Sequence, residues 1–370
     1  MAVRQCAMES VEVNPGFWNA KRVFVTGHTG FKGSWLSLWL QSMGAELVGF
    51  ALSPPTMPNL FDQVRIIEGM AHILGDVRDV AKLQSAISGF KPEIIFHLAA
   101  QPLVRYSYVD PVETYSTNVM GTVNLLESVR HCRDVRAVVN VTSDKCYANK
   151  EWSRGYVESD AMGGYDPYSS SKGCAELVSA AYTASFFNHA DYPKHGVAVA
   201  SARAGNVIGG GDWAKDRLIP DIIQSFASAK ALTIRNPNAI RPWQHVLEPL
   251  RGYITLAEQL YEQGPDFAEA WNFGPTDTDT QTVQWIVERM VNLWHKPISW
   301  SVDNSVQPHE AQVLKLDITK AARRLNWNPT MDLDTALKYT VQWYEDWING
   351  TDMHAVTLGQ IKSYQSLIIN

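Results

Sequence analysis

The sequence is poor in cysteine, and its few cysteines are not spaced like metal ligands. There are four cysteines in 370 residues, and no two of them form a CxxC pair; they are Cys6, Cys132, Cys146 and Cys174. A disulfide-stapled secreted domain and a cysteine-based zinc site therefore both have little support. We expect reduced thiols, a cytosolic protein and no bound metal.

Long apolar runs and an excess of positive charge are also missing. No stretch of about 18 apolar residues occurs, so the sequence predicts no transmembrane helix. The formal net charge is −6, which argues against nucleic acid or an anionic membrane as a partner. With 370 residues, of which 45% are hydrophobic, the chain can form about two domains with a substantial core.

The first half of the chain alternates short apolar runs with helical patterns. The predicted buried strands are residues 21–26, 46–52, 71–79, 93–101, 137–143 and 197–203. This alternation predicts an α/β fold with a Rossmann-type, doubly wound parallel sheet. The regular pattern ends at the glycine-rich residues 205–213, after which we expect a smaller, interleaved C-terminal α/β domain. Residues 244–246 and 271–274 are predicted to return to the first sheet.

Three glycines follow the first predicted strand at a spacing that suits a phosphate group. Gly27, Gly30 and Gly33 stand between that strand and a predicted helix at 34–43. The first lets the chain turn, the second lets backbone N–H groups approach a pyrophosphate, and the third lets helix pack on strand. The phosphates would lie at the positive end of the helix. We therefore predict an NAD-binding domain over residues 17–205 and a substrate-binding domain over residues 206–370.

Other residues of the first domain are candidates for contact with the cofactor. Residues 51–55, after the second strand, contain no acid, Arg or Lys, and the missing base favours NAD over NADP. Asp76 could hydrogen-bond an adenine amino group or cap the next helix. Ala99 and Ala100 are small enough for a ribose to lie against the backbone. His28 could pack near the nicotinamide or cap a helix.

A tyrosine and a lysine stand four residues apart in a predicted helix over 166–186. On a helix, Tyr168 and Lys172 would share one face. A neighbouring ammonium lowers the pKa of a phenol, which predicts a phenolate that accepts the proton of an alcohol losing a hydride.

A polar tripeptide ends another predicted strand, at the edge where parallel sheets bind ligands. It consists of Ser143, Asp144 and Lys145. The serine could hydrogen-bond a sugar hydroxyl and the Tyr168 phenolate. The aspartate and lysine place an acid and a potential base side by side.

These motifs resemble those of one enzyme family. The glycine turn and the Tyr168-xxx-Lys172 pair are similar to those of the extended short-chain dehydrogenase/reductases, over residues 17 to about 344. Within that family, residues 25–35 (VTGHTGFKGSW) and 142–147 (TSDKCY) resemble nucleotide-sugar 4,6-dehydratases that act on a CDP-sugar. The dTDP-glucose members carry a glutamate where this chain has Lys145.

The resemblance implies an NAD-dependent hydro-lyase with CDP-D-glucose as its substrate, in deoxysugar biosynthesis for surface polysaccharide. Tyr168 would take the proton of the 4-hydroxyl while a hydride moves from C4 to NAD and later to C6. Asp144 would protonate the departing 6-hydroxyl if burial raises its pKa. Lys145 would remove the C5 proton if burial and Lys172 lower its pKa, or would only stabilise the enolate by its charge.

The residues and the resemblance together give three sets of candidates and an expected assembly. The catalytic candidates are Ser143, Asp144, Lys145, Tyr168 and Lys172. The cofactor-binding candidates are Gly27, His28, Gly30, Phe31, Lys32, Gly33, Asp76, Val77, Leu98, Ala99, Ala100, Asn118, Tyr168 and Lys172. The substrate-binding candidates are Arg203, Asn206, Leu218 and Arg241, of which Arg241 matches the family's diphosphate-binding arginine. The family's helices at residues 118–129 and 168–186 imply a homodimer or homotetramer.

Other functions stay open at this level. Another nucleotide-sugar 4,6-dehydratase would share every motif. A 4-epimerase shares the fold, the cofactor and the Tyr168/Lys172 pair, but it needs no acid–base couple, so Asp144 and Lys145 argue against it. A non-catalytic NAD-binding regulator would not need an intact Tyr168/Lys172 pair.

Overall fold

A computed structural model describes residues 13–228, 231–294, 299–303 and 313–369. Its strands are β1 (Arg22–Thr26), β2 (Glu46–Ala51), β3 (Ala71–Leu74), β4 (Ile94–His97), β5 (Ala137–Val141), β6 (Ala198–Ala204), β7 (Asn206–Ile208), β8 (Leu232–Ile234), β9 (Ile240–His245), β10 (Ala270–Phe273), β11 (Thr280–Thr282) and β12 (Trp300–Val302).

Helices connect these strands. They are α1 (Pro15–Trp18), α2 (Phe31–Ser42), α3 (Leu60–Gln63), α4 (Val80–Phe90), α5 (Val104–Val109), α6 (Pro111–Tyr115), α7 (Gly121–Arg130), α8 (Pro167–Ser185), α9 (Tyr192–His195), α10 (Leu218–Ser228), α11 (Leu247–Gln263), α12 (Val283–Trp294), α13 (Thr319–Arg324), α14 (Leu333–Ile348) and α15 (Met353–Ile369). A π-helical turn, Ser116–Met120, joins α6 to α7.

The large sheet has seven parallel strands in the order β10-β6-β5-β4-β1-β2-β3. This confirms the predicted Rossmann-type sheet. The chain runs outward from β1 to β3 on one side and resumes with β4 on the other side of β1. The carboxyl ends of β1 and β4 therefore flank the switch point where such sheets bind ligands.

Both faces of this sheet are covered, which explains why its strands are apolar throughout. In β1, Val23, Phe24 and Val25 are all fully buried. One face packs on α2 and α11 through residues such as Trp35 and Leu250. The other face packs on α4 and α7 in a second apolar cluster. Continuous apolar runs are typical of strands buried on both sides.

The C-terminal part contains two small sheets, β11-β9-β7 and β12-β8. The prediction that residues 271–274 return to the large sheet is confirmed, because β10 is its edge strand beside β6. The same prediction for residues 244–246 is wrong, because β9 pairs with β7 and β11. The chain leaves the large sheet at Gly205, between β6 and β7. Strand β9 then pairs with β7 in a small sheet. The domain boundary at residues 205/206 stays a prediction.

Residues 1–12 and Cys6 lie outside the described part of the chain. From Val13 onward the chain is packed, since the Asn14 amide and the Trp18 indole both donate to the Glu258 carboxylate. The described cysteines, Cys132, Cys146 and Cys174, are free thiols. Within the described ranges, no group of three or more His, Cys, Asp or Glu is placed to hold a metal ion, and no helix is long and apolar enough to cross a membrane.

Candidate active site

The glycine turn after β1 has the geometry of a phosphate cradle. Gly27 has a φ of +76°, and a Cβ there would lie 2.6 Å from the Ala99 nitrogen. A Cβ on Gly33 would lie 2.2 Å from the Gly27 carbonyl oxygen, so only glycine lets α2 pack on the turn. Gly30 is the N-cap of α2 and offers no side chain to its first N–H groups. Those donors and the helix dipole suit a pyrophosphate.

The loop after β4 lies directly beside this turn. The Ala99 amide donates to the Thr26 hydroxyl at 3.2 Å, and Leu98, Ala99 and Ala100 are half-buried. Their small exposed surface and closeness to Gly27 agree with a cofactor lying across both loops. Phe31, at the start of α2, packs against the core.

The structure rules out one of the two interpretations of Asp76. Asp79 caps α4 by accepting from the Lys82 amide, so the capping interpretation of Asp76 is wrong. Asp76 is half-buried and ion-paired with Arg78 at 2.5 Å, and the hydrogen bond from Arg78 lowers its pKa. Its contact with adenine stays a prediction. The adjacent Val77 is buried.

Two predicted cofactor ligands have side chains that are already engaged. His28 neither caps a helix nor is exposed: it is fully buried, and its Nε2 lies 2.7 Å from Nδ1 of His72. Burial, and to a smaller extent the neighbouring His72, lower the pKa of His28 to about 3. The Asn118 amide bridges Ser171 and the backbone of Gln101. Both side chains therefore hold neighbouring elements, and contact of either residue with the cofactor stays a prediction.

The tyrosine and lysine of α8 do share one face, and Asp166 is the N-cap of this helix. Both Tyr168 and Lys172 are buried. The expected lowering of the tyrosine pKa is wrong: burial raises it to about 12, although the Ser143 hydroxyl opposes the rise. Lys172 donates to the Val141 carbonyl at 3.2 Å, and burial lowers its own pKa to about 8.

The prediction that burial raises the pKa of Asp144 is confirmed. Asp144 is 2% exposed, and burial raises its pKa. Its Oδ1 accepts the Ser143 hydroxyl at 3.0 Å. No group among the described residues hydrogen-bonds its buried Oδ2. A neutral carboxyl with one unused oxygen can act as an acid.

Two lysines lie near Asp144, and only one was expected there. Lys145 is half-buried rather than buried, so the burial invoked for a neutral amine is incomplete. Lys32, predicted as part of the cofactor turn, interacts electrostatically with Asp144, Asp212, Lys172 and Arg217. Burial and the neighbouring cations Arg217 and Lys172 lower its pKa to about 7.

The guanidinium of Arg203 is bound inside the protein. The residue is 3% exposed, and its guanidinium binds both oxygens of Glu176 at 2.9 and 2.8 Å, as well as the Tyr147 hydroxyl. Because its N–H groups are committed inside the protein, the structure argues against the prediction that Arg203 reaches the diphosphate or the sugar.

The other substrate candidates lie on the C-terminal side of the site. Arg241 on β9 acts electrostatically on Asp144, and Asn206 and Leu218 are half-buried. Arg217, which precedes Leu218 and was not predicted, pairs with Asp212 at 2.8 Å and acts on the Tyr168 phenol. Neither its spacing nor its neighbours in the sequence marked it.

Comparison with known proteins finds nucleotide-sugar dehydratases that match most of this chain. The family model described as GDP-mannose 4,6 dehydratase matches residues 24–340. The CDP-glucose 4,6-dehydratase of Salmonella typhimurium is 59% identical over 354 residues, which cover 96% of this chain and 99% of that protein.

Two solved structures share the fold. The dTDP-glucose 4,6-dehydratase of Bacillus anthracis in complex with NAD has a TM-score of 0.72 and 23% identity, covering 90% of this chain and 100% of that one. The UDP-glucose 4-epimerase of Thermotoga maritima with UDP-glucose has a TM-score of 0.74 and 21% identity, covering 88% and 99%. The chain belongs to the GDP-mannose 4,6 dehydratase family, the nucleotide-sugar dehydratases of the extended short-chain dehydrogenase/reductases.

Proposed function

We propose that this chain is a CDP-D-glucose 4,6-dehydratase, an NAD-dependent hydro-lyase that forms CDP-4-keto-6-deoxyglucose and water. The observation that carries the proposal is the 59% identity to the Salmonella typhimurium enzyme over nearly the full length of both proteins. The buried Asp144 beside Tyr168 supports it independently, because a leaving hydroxyl needs an acid and an epimerisation at C4 does not.

The cofactor site comprises the glycine turn and the end of β4. Gly27 and Gly33 permit the close approach of backbone to pyrophosphate, and Ala99 and Ala100 leave room for a ribose. NAD, when bound there, supplies the hydride acceptor and donor for an internal transfer from C4 to C6 of the sugar. The lack of Arg or Lys in residues 51–55 favours NAD over NADP.

Tyr168 and Asp144 divide the proton transfers at C4 and C6. Tyr168 accepts the 4-hydroxyl proton as C4 is oxidised; burial raises the pKa of its phenol, and the Ser143 hydroxyl and the Arg217 charge oppose that rise. The resulting ketone acidifies the C5 hydrogen. Asp144, whose pKa is raised by burial, gives its proton to the departing 6-hydroxyl, which leaves as water.

Lys145 is the candidate for the C5 proton. It is half-buried next to Asp144, and among the charges that lower the Asp144 pKa it has the largest effect. The alternative is a cation that only stabilises the enolate. A Lys145→Met variant separates the two, because hydrogen exchange between C5 and solvent would persist if the lysine served only as a charge.

Substrate binding and assembly complete the proposal. Arg241 binds the diphosphate, and Leu218 and Asn206 line the pocket for the CDP moiety. The chain forms a homodimer or homotetramer through α7 and α8; Leu177 on α8 is 60% exposed although apolar, which supports an interface there. The enzyme works in the cytosol, where its free thiols stay reduced.

Incubation with CDP-D-glucose and NAD tests the proposed function. We expect CDP-4-keto-6-deoxyglucose with no net accumulation of NADH. A 4-epimer as product would identify an epimerase, and cofactor binding without turnover would identify a regulator. Faster turnover of the dTDP-, UDP- or GDP-linked sugar would assign a different nucleotide, and a Tyr168→Phe variant controls for contaminating enzymes.

A further inference from the structure

The three catalytic candidates on the turn after β5 lie between two side chains that are anchored at the same place. The turn spans residues 143–146, with Thr142 before it and Tyr147 after it. The Thr142 hydroxyl donates to the Glu176 carboxylate. The Tyr147 hydroxyl accepts from the Arg203 guanidinium at 2.7 Å, and that guanidinium also binds both oxygens of Glu176. One buried ion pair therefore holds both ends of the turn.

The same ion pair belongs to the helix that carries Tyr168 and Lys172. Glu176 follows Lys172 by one helical turn on α8, and all three side chains are buried. Gly173 lets this helix approach the turn closely, because a Cβ there would lie 3.2 Å from the Cys146 carbonyl oxygen. The ion pair thus sets the position of the turn relative to the Tyr168 phenol.

The Asp144 carboxyl depends on the turn for its position. Its Oδ1 accepts from the Ser143 hydroxyl, which belongs to the same turn, and no group in the described part of the chain hydrogen-bonds its Oδ2. Within the turn, the Lys145 amide donates to the Ser143 Oγ and the Cys146 amide to the Ser143 carbonyl, both at 3.2 Å. Such 3₁₀ turns have poorer hydrogen-bond geometry than an α-helix. A shift at either end of the turn would therefore move the carboxyl.

We propose that Thr142 and Tyr147 are positioning residues, whose hydroxyls clamp the turn on the ion pair and so hold Asp144 in place to protonate the leaving 6-hydroxyl. This role rests on the proposed function. A proton is transferred over a hydrogen-bond distance of about 2.6–3.2 Å, and a misplacement of about 1 Å can cost about 100-fold in rate. Two fixed ends keep the acid within that range.

The clamp should act on one chemical step more than on the others. Tyr168, which takes the 4-hydroxyl proton, lies on α8, whereas Asp144 lies on the turn. Loosening the turn should therefore slow the loss of water more than the oxidation at C4. Reduced cofactor, formed by the oxidation and consumed when the hydride returns to C6, should then build up on the enzyme during turnover.

The variants Thr142→Val and Tyr147→Phe, here called the clamp variants, test this role. Each removes one hydroxyl and keeps the shape of the side chain, and the ring at position 147 can still stack on Tyr156, whose centroid lies 5.2 Å away. With CDP-glucose and NAD we expect kcat to fall about 10- to 100-fold at nearly unchanged KM. The absorbance of bound NADH should appear during turnover, as it should in Asp144→Asn. Thr142→Ser keeps the hydroxyl and should restore the wild-type kcat.

Tyr364 on α15 offers a matched control. Its buried hydroxyl also accepts from an arginine, Arg251, at 3.0 Å, and donates to the Glu248 carboxylate at 2.8 Å. Tyr364→Phe should lower the melting temperature about as much as Tyr147→Phe, but it should keep the wild-type kcat and show no bound NADH. Wild-type kcat in the clamp variants, slowing without bound NADH, or an equal NADH signal in Tyr364→Phe overturns the proposal. If the wild type forms no product, the proposed function fails instead.

Amide hydrogen exchange gives a readout that needs neither substrate nor NAD. The amides of residues 144–147 should exchange faster in both clamp variants than in the wild type, because the ends of the turn are released. The same amides should exchange at the wild-type rate in Tyr364→Phe and in Thr142→Ser. Unchanged exchange in the clamp variants would show that the two hydroxyls do not hold the turn.

Discussion

Two buried carboxylates lie close to the carboxyl ends of β5 and β6, and they have opposite surroundings. Glu176 on α8 is bound through both oxygens by Arg203, and it also accepts the Thr142 hydroxyl. Asp144, on the turn after β5, is equally buried, yet within the described chain its Oδ2 has no hydrogen-bond partner.

The difference separates a structural carboxylate from a reactive one. A buried carboxylate that meets a guanidinium is held as an ion and fixes the elements that carry the pair. A buried carboxylate without a matching cation is favoured in its neutral form, because desolvation penalises the charge. Burial alone therefore does not distinguish the two carboxylates. They differ in the groups that hydrogen-bond each carboxylate oxygen.

The largest effect is expected from Asp144→Asn. The amide keeps the size and burial of the side chain but cannot give a proton to the leaving hydroxyl, so product formation should fall by about 10²–10⁴-fold. The melting temperature should change little, because Asp144 carries no matched ion pair. Glu176→Gln is the control and should give the reverse pattern, a lower melting temperature with less loss of activity per folded molecule. Equal behaviour of the two variants would contradict the comparison.

Arg203→Met is expected to destabilise the fold by about 3–5 kcal/mol, because it leaves Glu176 buried without its cation. Denaturant unfolding measures this. The double variant Arg203→Met/Glu176→Met removes both charges and should recover most of the lost free energy of unfolding. No recovery in the double variant would mean that the pair is not what makes Arg203 important.

Glu258 offers a third carboxylate, with neutral donors in place of a cation. It accepts from the Trp18 indole and the Asn14 amide, and burial raises its pKa from 4.5 to about 7. Because its folded pKa exceeds the unfolded one, its stabilising contribution is complete below about pH 4.5 and is lost as the pH rises to about 7. The loss amounts to about 3 kcal/mol.

Unfolding of Glu258→Gln across this pH range measures that contribution. The wild type should lose more stability than the variant between pH 4.5 and 7, because the glutamine does not titrate. Parallel stability profiles would contradict a Glu258 pKa that burial has raised.

The smallest effect is expected from Lys32→Met. The Lys32 charge lowers the pKa of Asp144, and burial holds the Lys32 pKa at about 7. Below about pH 7, where the amine is charged, the variant should therefore retain more protonated Asp144 than the wild type. The measurement is the infrared C=O band of the Asp144 carboxyl, which is identified by its loss in Asp144→Asn. Above about pH 7 the two should converge, whereas Lys32→Arg should keep the wild-type charge effect. A difference in Asp144 protonation between variant and wild type that stays the same at every pH would rule out this electrostatic link.

The sequence was informative where local pattern and chemistry coincide. The glycine turn, the strands of the large sheet and the Tyr168/Lys172 face follow from periodicity and from glycine geometry, which are properties of adjacent residues. Arg203 and the strand β9 were misassigned because their partners, Glu176 and β7, are chosen by tertiary packing. The pKa of Tyr168 was misjudged for the same reason, since burial outweighs the nearby lysine.

The roles of Arg217 and Lys32 at the site were also missed because they depend on tertiary packing. Each joins the site only because β1, β5 and the C-terminal segments meet there. No pattern in the sequence encodes the distance between a side chain on one of these segments and Asp144 on another.

Isotope tracing tests the central claim most directly. CDP-D-glucose that carries deuterium at C4 is incubated with the enzyme and NAD, and the product is examined by NMR. We predict CDP-4-keto-6-deoxyglucose with the deuterium at C6. Deuterium that stays at C4 of an epimerised sugar, or a dehydrated product without deuterium at C6, would contradict it.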